Sequence, residues 1–390
     1  MIPYGRQNID DEDIDAVIDV LKSDFLTQGP KVPEFEQHVA RYCQAKYAVA
    51  VNSATSALHL ACLALGVNAT SRVWTSAISF VASANCARYC GAEVDFVDID
   101  PATINLCPQA LKKKLQQAEK DNSLPDVVIV VHMAGQPCDM VSIHALAKQY
   151  DFAVIEDASH AIGSEYQGKK TGSCQFSDIT VFSFHPVKII TTAEGGMAVT
   201  NKASLAEKMR LLRSHGVTRD AHQMRWEESD PEPGSWYYQQ LELGFNYRMT
   251  DLQAALGIRQ LNKLDSYVAR RNQLAQDYHQ ALQTLPLTLL PISENSLSSF
   301  HLYIIQVAAA THKNLFEALR QAGVGVNLHY MPIYLQPYYR DQGFQPGYCP
   351  KAEAYSASAI SLPLYPGLSD ENREYVCDTL KTLLAKEGVL

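Results

Sequence analysis

Along residues 47–200, short apolar runs rich in β-branched side chains alternate with stretches of helical period. The runs predict strands at Tyr47–Val51 (YAVAV), Glu93–Val97, Val127–Val131 (VVIVV), Phe152–Glu156, Thr180–Phe184 and Gly196–Thr200. Helix-length patterns, such as Ser56–Leu65 and Met140–Tyr150, lie between several of them. Continuous apolar strands separated by helices predict a largely parallel sheet covered on both faces. Ligands of such sheets bind beyond the carboxyl ends of the strands, so residues just after each run are the site candidates.

Residues 217–240 are polar and include Pro231, Pro233 and Gly234, which predicts a long excursion or flexible loop. Helical period resumes at Thr250–Leu264 and continues to about residue 284. A strand-like run at His301–Ala308, with helices at Lys313–Ala322 and Asp370–Lys386, then predicts a smaller α+β domain. The boundary is expected near residue 260, between a large domain (1–260) with an N-terminal arm and a small C-terminal domain (261–390).

The 390 residues give room for two such domains. Against 42 acidic residues stand 33 basic ones, and the net charge of −9 argues against a nucleic-acid surface, though a local basic pocket could still hold phosphates. No secretory signal opens the chain, and no apolar run approaches the ~20 residues that cross a bilayer, so a cytoplasmic protein is expected. Nine cysteines without a CxxC pair favour reduced thiols over a disulfide framework or a metal site.

Three segments carry candidate chemistry. In Val181–Gly196 a strand end bearing Ser183 leads to Lys188, flanked by Val187, Ile189 and Ile190. An amine desolvated there loses its charge readily and becomes a nucleophile toward carbonyls; a solvated surface lysine is the plainer alternative. The strand before it ends in Asp157, followed by His160. Asp157 could pair with a protonated ring nitrogen or cap a helix, and His160 could face the same site or fill a helix face. After YAVAV comes Asn52-Ser-Ala-Thr55-Ser56, small and hydroxyl residues opening a helix, which suits either a phosphate or ordinary N-capping. No strand is followed by GxGxxG or GxxxxGK[ST], so dinucleotides and nucleoside triphosphates fit poorly.

The order of these segments carries a resemblance. PYGRQNID near the start, FLTQGPKVPEFE (25–36), NSATSALHLA (52–61), SAISFVASAN (76–85), EDASHAIGSEY (156–166), FSFHPVKIITTAEGG (182–196), RSHG (213–216), GFNYRMTDLQAALG (244–257) and VNLHYMPIY (326–334) follow one another along the chain. Together they resemble the sugar aminotransferases of the DegT/DnrJ/EryC1/StrS family over essentially its whole length. The resemblance implies an aspartate-aminotransferase-like α/β fold (fold type I), with a large, mostly parallel sheet domain and a smaller C-terminal α+β domain. It also implies pyridoxal 5′-phosphate, held as a Schiff base on Lys188, and no metal.

Further roles follow from that resemblance. Lys188, once freed, would move the proton; Asp157 would bind the pyridine nitrogen and His160 the region of the phenolic oxygen. Ala54, Thr55 and Ser183 would hold the phosphate and border the substrate. Phe80 takes the family's stacking position, with plain core packing as the alternative. Asn246 matches the position that reaches the phosphate from a partner subunit, which implies a homodimer with shared sites. Tyr4, Asp24, Phe25, Leu26, Thr27, Tyr247, Asn327, Leu328, His329 and Tyr330 match positions lining a sugar-nucleotide pocket, although His329 and Tyr330 also suit ordinary buried polar roles.

NSATSAL, ASHAIGSEYQGKK and NLHYMPIY are similar to the branch of the family acting in pseudaminic acid biosynthesis. That branch aminates C4 of UDP-2-acetamido-2,6-dideoxy-β-L-arabino-hexos-4-ulose, with glutamate the usual donor in the family. Another nucleotide-4-keto-sugar aminotransferase is the main alternative. A sugar dehydratase of the same fold would carry His in place of Lys188, and a non-catalytic regulator would not need the Lys188, Asp157 and Ser183 set.

Overall fold

A computed structural model of the chain describes residues 1–226, 234–291 and 295–386. Among these, seven strands form a central sheet: β1 (Tyr47–Val51), β2 (Arg72–Ser76), β3 (Glu93–Val97), β4 (Val127–Val131), β5 (Ala153–Asp157), β6 (Ile179–Ser183) and β7 (Gly196–Thr200). Their spatial order is β1-β7-β6-β5-β4-β2-β3. Only β7 breaks the parallel arrangement, running antiparallel to both β1 and β6.

Helices cover both faces, which is why β4 is apolar at every position. Val127 and Ile129 pack into one core with Leu58 and Ala87, while Val128 and Val130 pack into another with Leu111 and Ile143. Strand β2 escapes the apolar pattern because its second half, Thr75-Ser76, is polar. Thr75 is nonetheless fully buried, its hydroxyl donating to the Ile129 carbonyl at 3.0 Å, so a polar side chain is satisfied inside the sheet. Strands β5 and β6 are each displaced by one residue from the expected spans.

The helical pattern after Thr250 is two helices, Asp251–Asn262 and Leu264–Leu282, meeting at Lys263. A capping box between Thr250 and Gln253 fixes the first start. Leu264, Tyr267 and Val268 belong to the core that also holds Phe182 and Met197 of the large sheet. Further along the same helix, Leu274, Tyr278 and Leu282 belong instead to a C-terminal core built on the antiparallel strands Thr288–Leu289, Tyr303–Gln306 and Ala359–Leu362. In the polar stretch 217–240, Val217–Thr218 pairs with Gln239–Gln240 as a short antiparallel ladder, while its proline-bearing centre, 227–233, lies outside the described residues. No helix among the described residues is long and apolar enough to cross a membrane.

Candidate active site

The carboxyl ends of β1, β4, β5 and β6 open onto one cavity of about 470 Å³, where Ser53, Val131, Asp157 and Ser183 all contribute wall. Beyond β1, Ser53 caps the helix Ala54–Ala64 by accepting from the Ser56 amide at 3.1 Å. The first-turn N–H groups of Ala54 and Thr55, which no helix can pair internally, border the cavity. The capping reading of this segment and the phosphate reading are therefore compatible. Gly196 at the start of β7 lets that strand pass close by: a Cβ there would stand 2.5 Å from the Ala54 nitrogen and from Ser53 backbone atoms.

Asp157, the last residue of β5, is buried and accepts three hydrogen bonds. Ser83 Oγ donates at 2.6 Å, Ser159 Oγ at 2.5 Å and the Ser159 amide at 3.1 Å, while Ser79 lies behind Ser83 at 2.7 Å. It caps a turn, through Ser159, rather than a helix. These donors satisfy the acceptor positions of a carboxylate that is buried away from water.

Lys188 sits on a loop closed by the Thr192 amide donating to the Phe184 carbonyl at 3.0 Å, and anchored by buried Ile189 and Ile190. Lys188 lines the cavity. Desolvation takes its pKa down to about 8, although the charge of Asp157 pulls the other way. His160 also lines the cavity; burial, then the charges of Lys188 and His329, push its pKa well down and favour the neutral ring. Its Nε2 lies 3.4 Å from the Tyr330 hydroxyl, its ring packs 4.3 Å from that of His301, and its Nδ1 has no partner among the described residues.

The far wall is formed by Tyr4, Phe80, Asn327, His329 and Tyr330. His329 is held by Ser361 at 2.8 Å and by Asn327 at 3.3 Å; burial, then the charge of Lys188, lowers its pKa to about 3. Phe80 is exposed, its ring 6.2 Å from that of Tyr330, so it is a cavity-mouth residue and not a core one. The remaining sequence candidates do not border this chain's cavity. Asp24–Thr27 and Asn246 are exposed, Tyr247 turns its hydroxyl to His59 at 3.2 Å, and Leu328 packs against the large core. Sequence reasoning missed Ser79, Ser83, Ser159, His185, Glu194 and His301; for Ser79 and Ser83, their place within SAISFVASAN was the available signal.

Comparison with known proteins decides the class. The model of the DegT/DnrJ/EryC1/StrS aminotransferase family matches residues 7–381. The chain belongs to this family. It is an aminotransferase of the fold type I class, and pyridoxal 5′-phosphate is its cofactor. Among its relatives, a UDP-4-amino-4,6-dideoxy-N-acetyl-β-L-altrosamine transaminase of Campylobacter jejuni is 38% identical, covering 99% of this chain and 98% of that one. PseC of Helicobacter pylori, an aminotransferase involved in pseudaminic acid biosynthesis, superposes with a TM-score of 0.88 at 32% identity over 99% of both chains. Spr1654 of Streptococcus pneumoniae in its PMP form reaches 0.90 at 31% identity over 100% of both.

Proposed function

We propose that this enzyme transfers an amino group from glutamate to C4 of a UDP-linked 4-keto-6-deoxy sugar, UDP-2-acetamido-2,6-dideoxy-β-L-arabino-hexos-4-ulose, as in pseudaminic acid biosynthesis. The observation that carries the chemistry is the meeting of a low-pKa amine, Lys188, and a hydrogen-bonded buried carboxylate, Asp157, in one cavity. The similarity to the Campylobacter jejuni and Helicobacter pylori enzymes supports the choice of sugar.

The cavity residues suit pyridoxal phosphate. Its phosphate would meet the Ala54 and Thr55 amides, the positive end of their helix and the Ser183 hydroxyl. Its ring nitrogen would meet Asp157, whose negative charge keeps that nitrogen protonated; its phenolic side would meet His160, and Phe80 would cover a face. When bound, the cofactor supplies a carrier for the amino group and a sink for the electron pair released at the substrate carbon. Lys188 provides the attachment amine and then the base that lifts a proton from the glutamate carbon and delivers one to sugar C4. A lysine able to lose its proton near neutral pH can do both. Tyr4, Asn327, His329 and Tyr330 would orient the sugar nucleotide, while Leu328, packed against the large core, would hold that wall in place.

Asp24, Phe25, Leu26, Thr27, Asn246 and Tyr247 fit the reading if a second copy of the chain brings them to the first copy's cavity, which makes the enzyme a homodimer with shared sites. Nine cysteines, all unpaired, suit a reducing compartment, and we place the enzyme in the cytoplasm. The test is spectroscopic and then chemical. The purified enzyme should be yellow, and glutamate should convert the cofactor to its amine form. Candidate UDP-4-keto sugars offered in turn should then reverse the change, with the 4-amino product identified by NMR. A spectrum unmoved by every amino donor would overturn the transaminase reading, and turnover of a different sugar alone would overturn the substrate.

A further inference from the structure

Residues 298–301 lead into the strand Tyr303–Gln306 of the C-terminal core and lie against the back of His160. Ser299 Oγ donates to the His160 carbonyl at 2.9 Å, and the Ser299 amide donates to the Gly135 carbonyl at 3.1 Å. Gly135, at φ +94°, makes this approach possible: a Cβ there would stand 2.6 Å from Ser299 Oγ and 2.9 Å from the His301 nitrogen. The buried guanidinium of Arg271 donates to the Phe300 and His301 carbonyls at 3.2 and 3.3 Å. Clamped in this way, the buried His301 ring packs 4.3 Å from the His160 ring, nearer than Tyr330 at 6.2 Å.

The two ring nitrogens of His160 have unlike surroundings. Nε2 lies 3.4 Å from the Tyr330 hydroxyl, whose oxygen can accept, whereas Nδ1 is buried and has no partner among the described residues. A neutral imidazole carries one hydrogen, and a buried N–H without an acceptor is a costlier orphan than a bare lone pair. The hydrogen therefore belongs on Nε2. A second proton would have to enter at Nδ1. Its charge would face Lys188, from a loop that also carries His185 to the cavity wall, and His329 from the far wall. Behind His301 stands Arg271, whose bonds go to carbonyls and not to a carboxylate. Of the carboxylates in the cavity wall, Asp157 is taken by Ser83 and Ser159, and neither it nor Glu194 bonds to an imidazole among the described residues. Burial keeps the Tyr330 hydroxyl protonated, so it adds no charge. Burial first, and then His160, Lys188, Arg271 and His329, also push the pKa of His301 well down.

We infer that His301 is a positioning residue for the aminotransferase reaction: its ring closes the Nδ1 edge of His160, so that His160 carries one hydrogen, on Nε2, and takes no second. His301 does not border the cavity and acts only through His160. The inference rests on the placement of His160 beside the phenolic oxygen of the cofactor. A neutral His160 offers that oxygen one hydrogen bond. An imidazolium would set a second positive charge against Lys188 and disfavour its protonated form, the one that delivers the proton.

The full-length enzyme, with cofactor bound and histidine isotope-labelled, is titrated between about pH 8 and 5 while NMR reads both His160 nitrogens, assigned with His160→Gln. In the parent, His160 should keep its hydrogen on Nε2 and stay neutral throughout. In His301→Ala, water reaches Nδ1, and His160 should charge with a pKa near its ordinary 6.5. His301→Phe, which keeps a ring over that edge, should restore the parent behaviour. A merely structural role would lower the thermal stability of His301→Ala and leave both nitrogens as in the parent, and that result would overturn the inference. So would a parent enzyme whose His160 is charged at about pH 6 or holds its hydrogen on Nδ1, a measurement that needs no variant to fold. Single-turnover kinetics with glutamate then test the placement of His160. In His301→Ala the rate should fall about tenfold one pH unit below the new pKa, with rescue in His301→Phe. If His160 charges in His301→Ala while the rate keeps the parent pH profile, the reaction does not depend on that ring, and the positioning role falls with the placement of His160 while the amino-group transfer stands.

Discussion

Asp157 keeps its place in the cavity wall through hydroxyls that come from outside its own strand. Ser83, which lies 74 positions earlier in the chain, contributes one of its three donors. Removing it in Ser83→Ala deletes a bond to a charged group and leaves Ser79 facing a methyl. The cofactor-free protein should lose about 1.5–3 kcal/mol of stability, read as a lower urea midpoint with an unchanged slope. Ser83→Thr should restore most of it, and an unaltered midpoint in Ser83→Ala would mean that Asp157 does not depend on this donor. Lys188 gives a test with a sign. Its folded pKa, about 8, lies below the unfolded value of 10.5, so burying the amine costs stability wherever it is charged in both states. The cost is full below pH 8, fades as pH rises toward 10.5, and is absent above. Lys188→Met should therefore stabilise the cofactor-free protein at pH 7, and the gain should vanish near pH 10.5; a gain that grew with pH would contradict the burial. Lys188 was legible from its apolar neighbours, and Asp157 from its position after a strand. His301 was not, because its role arises from a tertiary contact with the His160 ring that no local pattern encodes, and Ser79 and Ser83 were marked only by their place in SAISFVASAN, which does not say that they reach Asp157.

At the scale of elements, the most constrained junction is that between β7 and the start of the helix Ala54–Ala64. Gly196 is paired with Val51, the last residue of β1, and has no room for a Cβ beside Ser53 and Ala54. Gly196→Ala must displace either the strand or the helix start, and the latter carries the amides proposed to receive the phosphate. Cofactor affinity should fall by roughly tenfold or more while far-UV circular dichroism stays near that of the parent; unchanged affinity would remove these amides from the site. The elements themselves were largely readable: apolar five-residue runs stood out wherever both faces of the sheet are covered. Strand β2 was invisible because Thr75 is satisfied inside the sheet by Ile129. The break at Lys263 was invisible too, since helical period runs through it without glycine or proline.

For the whole molecule, we propose two domains dividing near residue 260, a reading supported by the change from one hydrophobic core to another within the helix Leu264–Leu282. Assembly is the level that a single sequence encodes least directly, because both copies carry every motif and nothing in the pattern says which copy supplies which wall. The candidates standing off this chain's cavity therefore matter. Asn246 is exposed, as are Phe25 and Leu26, and a face with apolar Ile9, Ile14, Val17 and Ile18 around Pro186 and Ala193 lies near the Lys188 loop. If Asn246 acts in the partner's cavity, subunits defective in different residues should complement. Lys188→Ala and Asn246→Ala homodimers should each be inactive or nearly so. In a heterodimer of the two, one site carries both defects and the other carries neither. Random exchange of equal amounts makes half the dimers mixed, so about a quarter of wild-type activity should return. No recovery, with exchange verified by native mass spectrometry, would put Asn246 in its own subunit's site or outside the chemistry, and a monomer in solution would remove the shared site altogether.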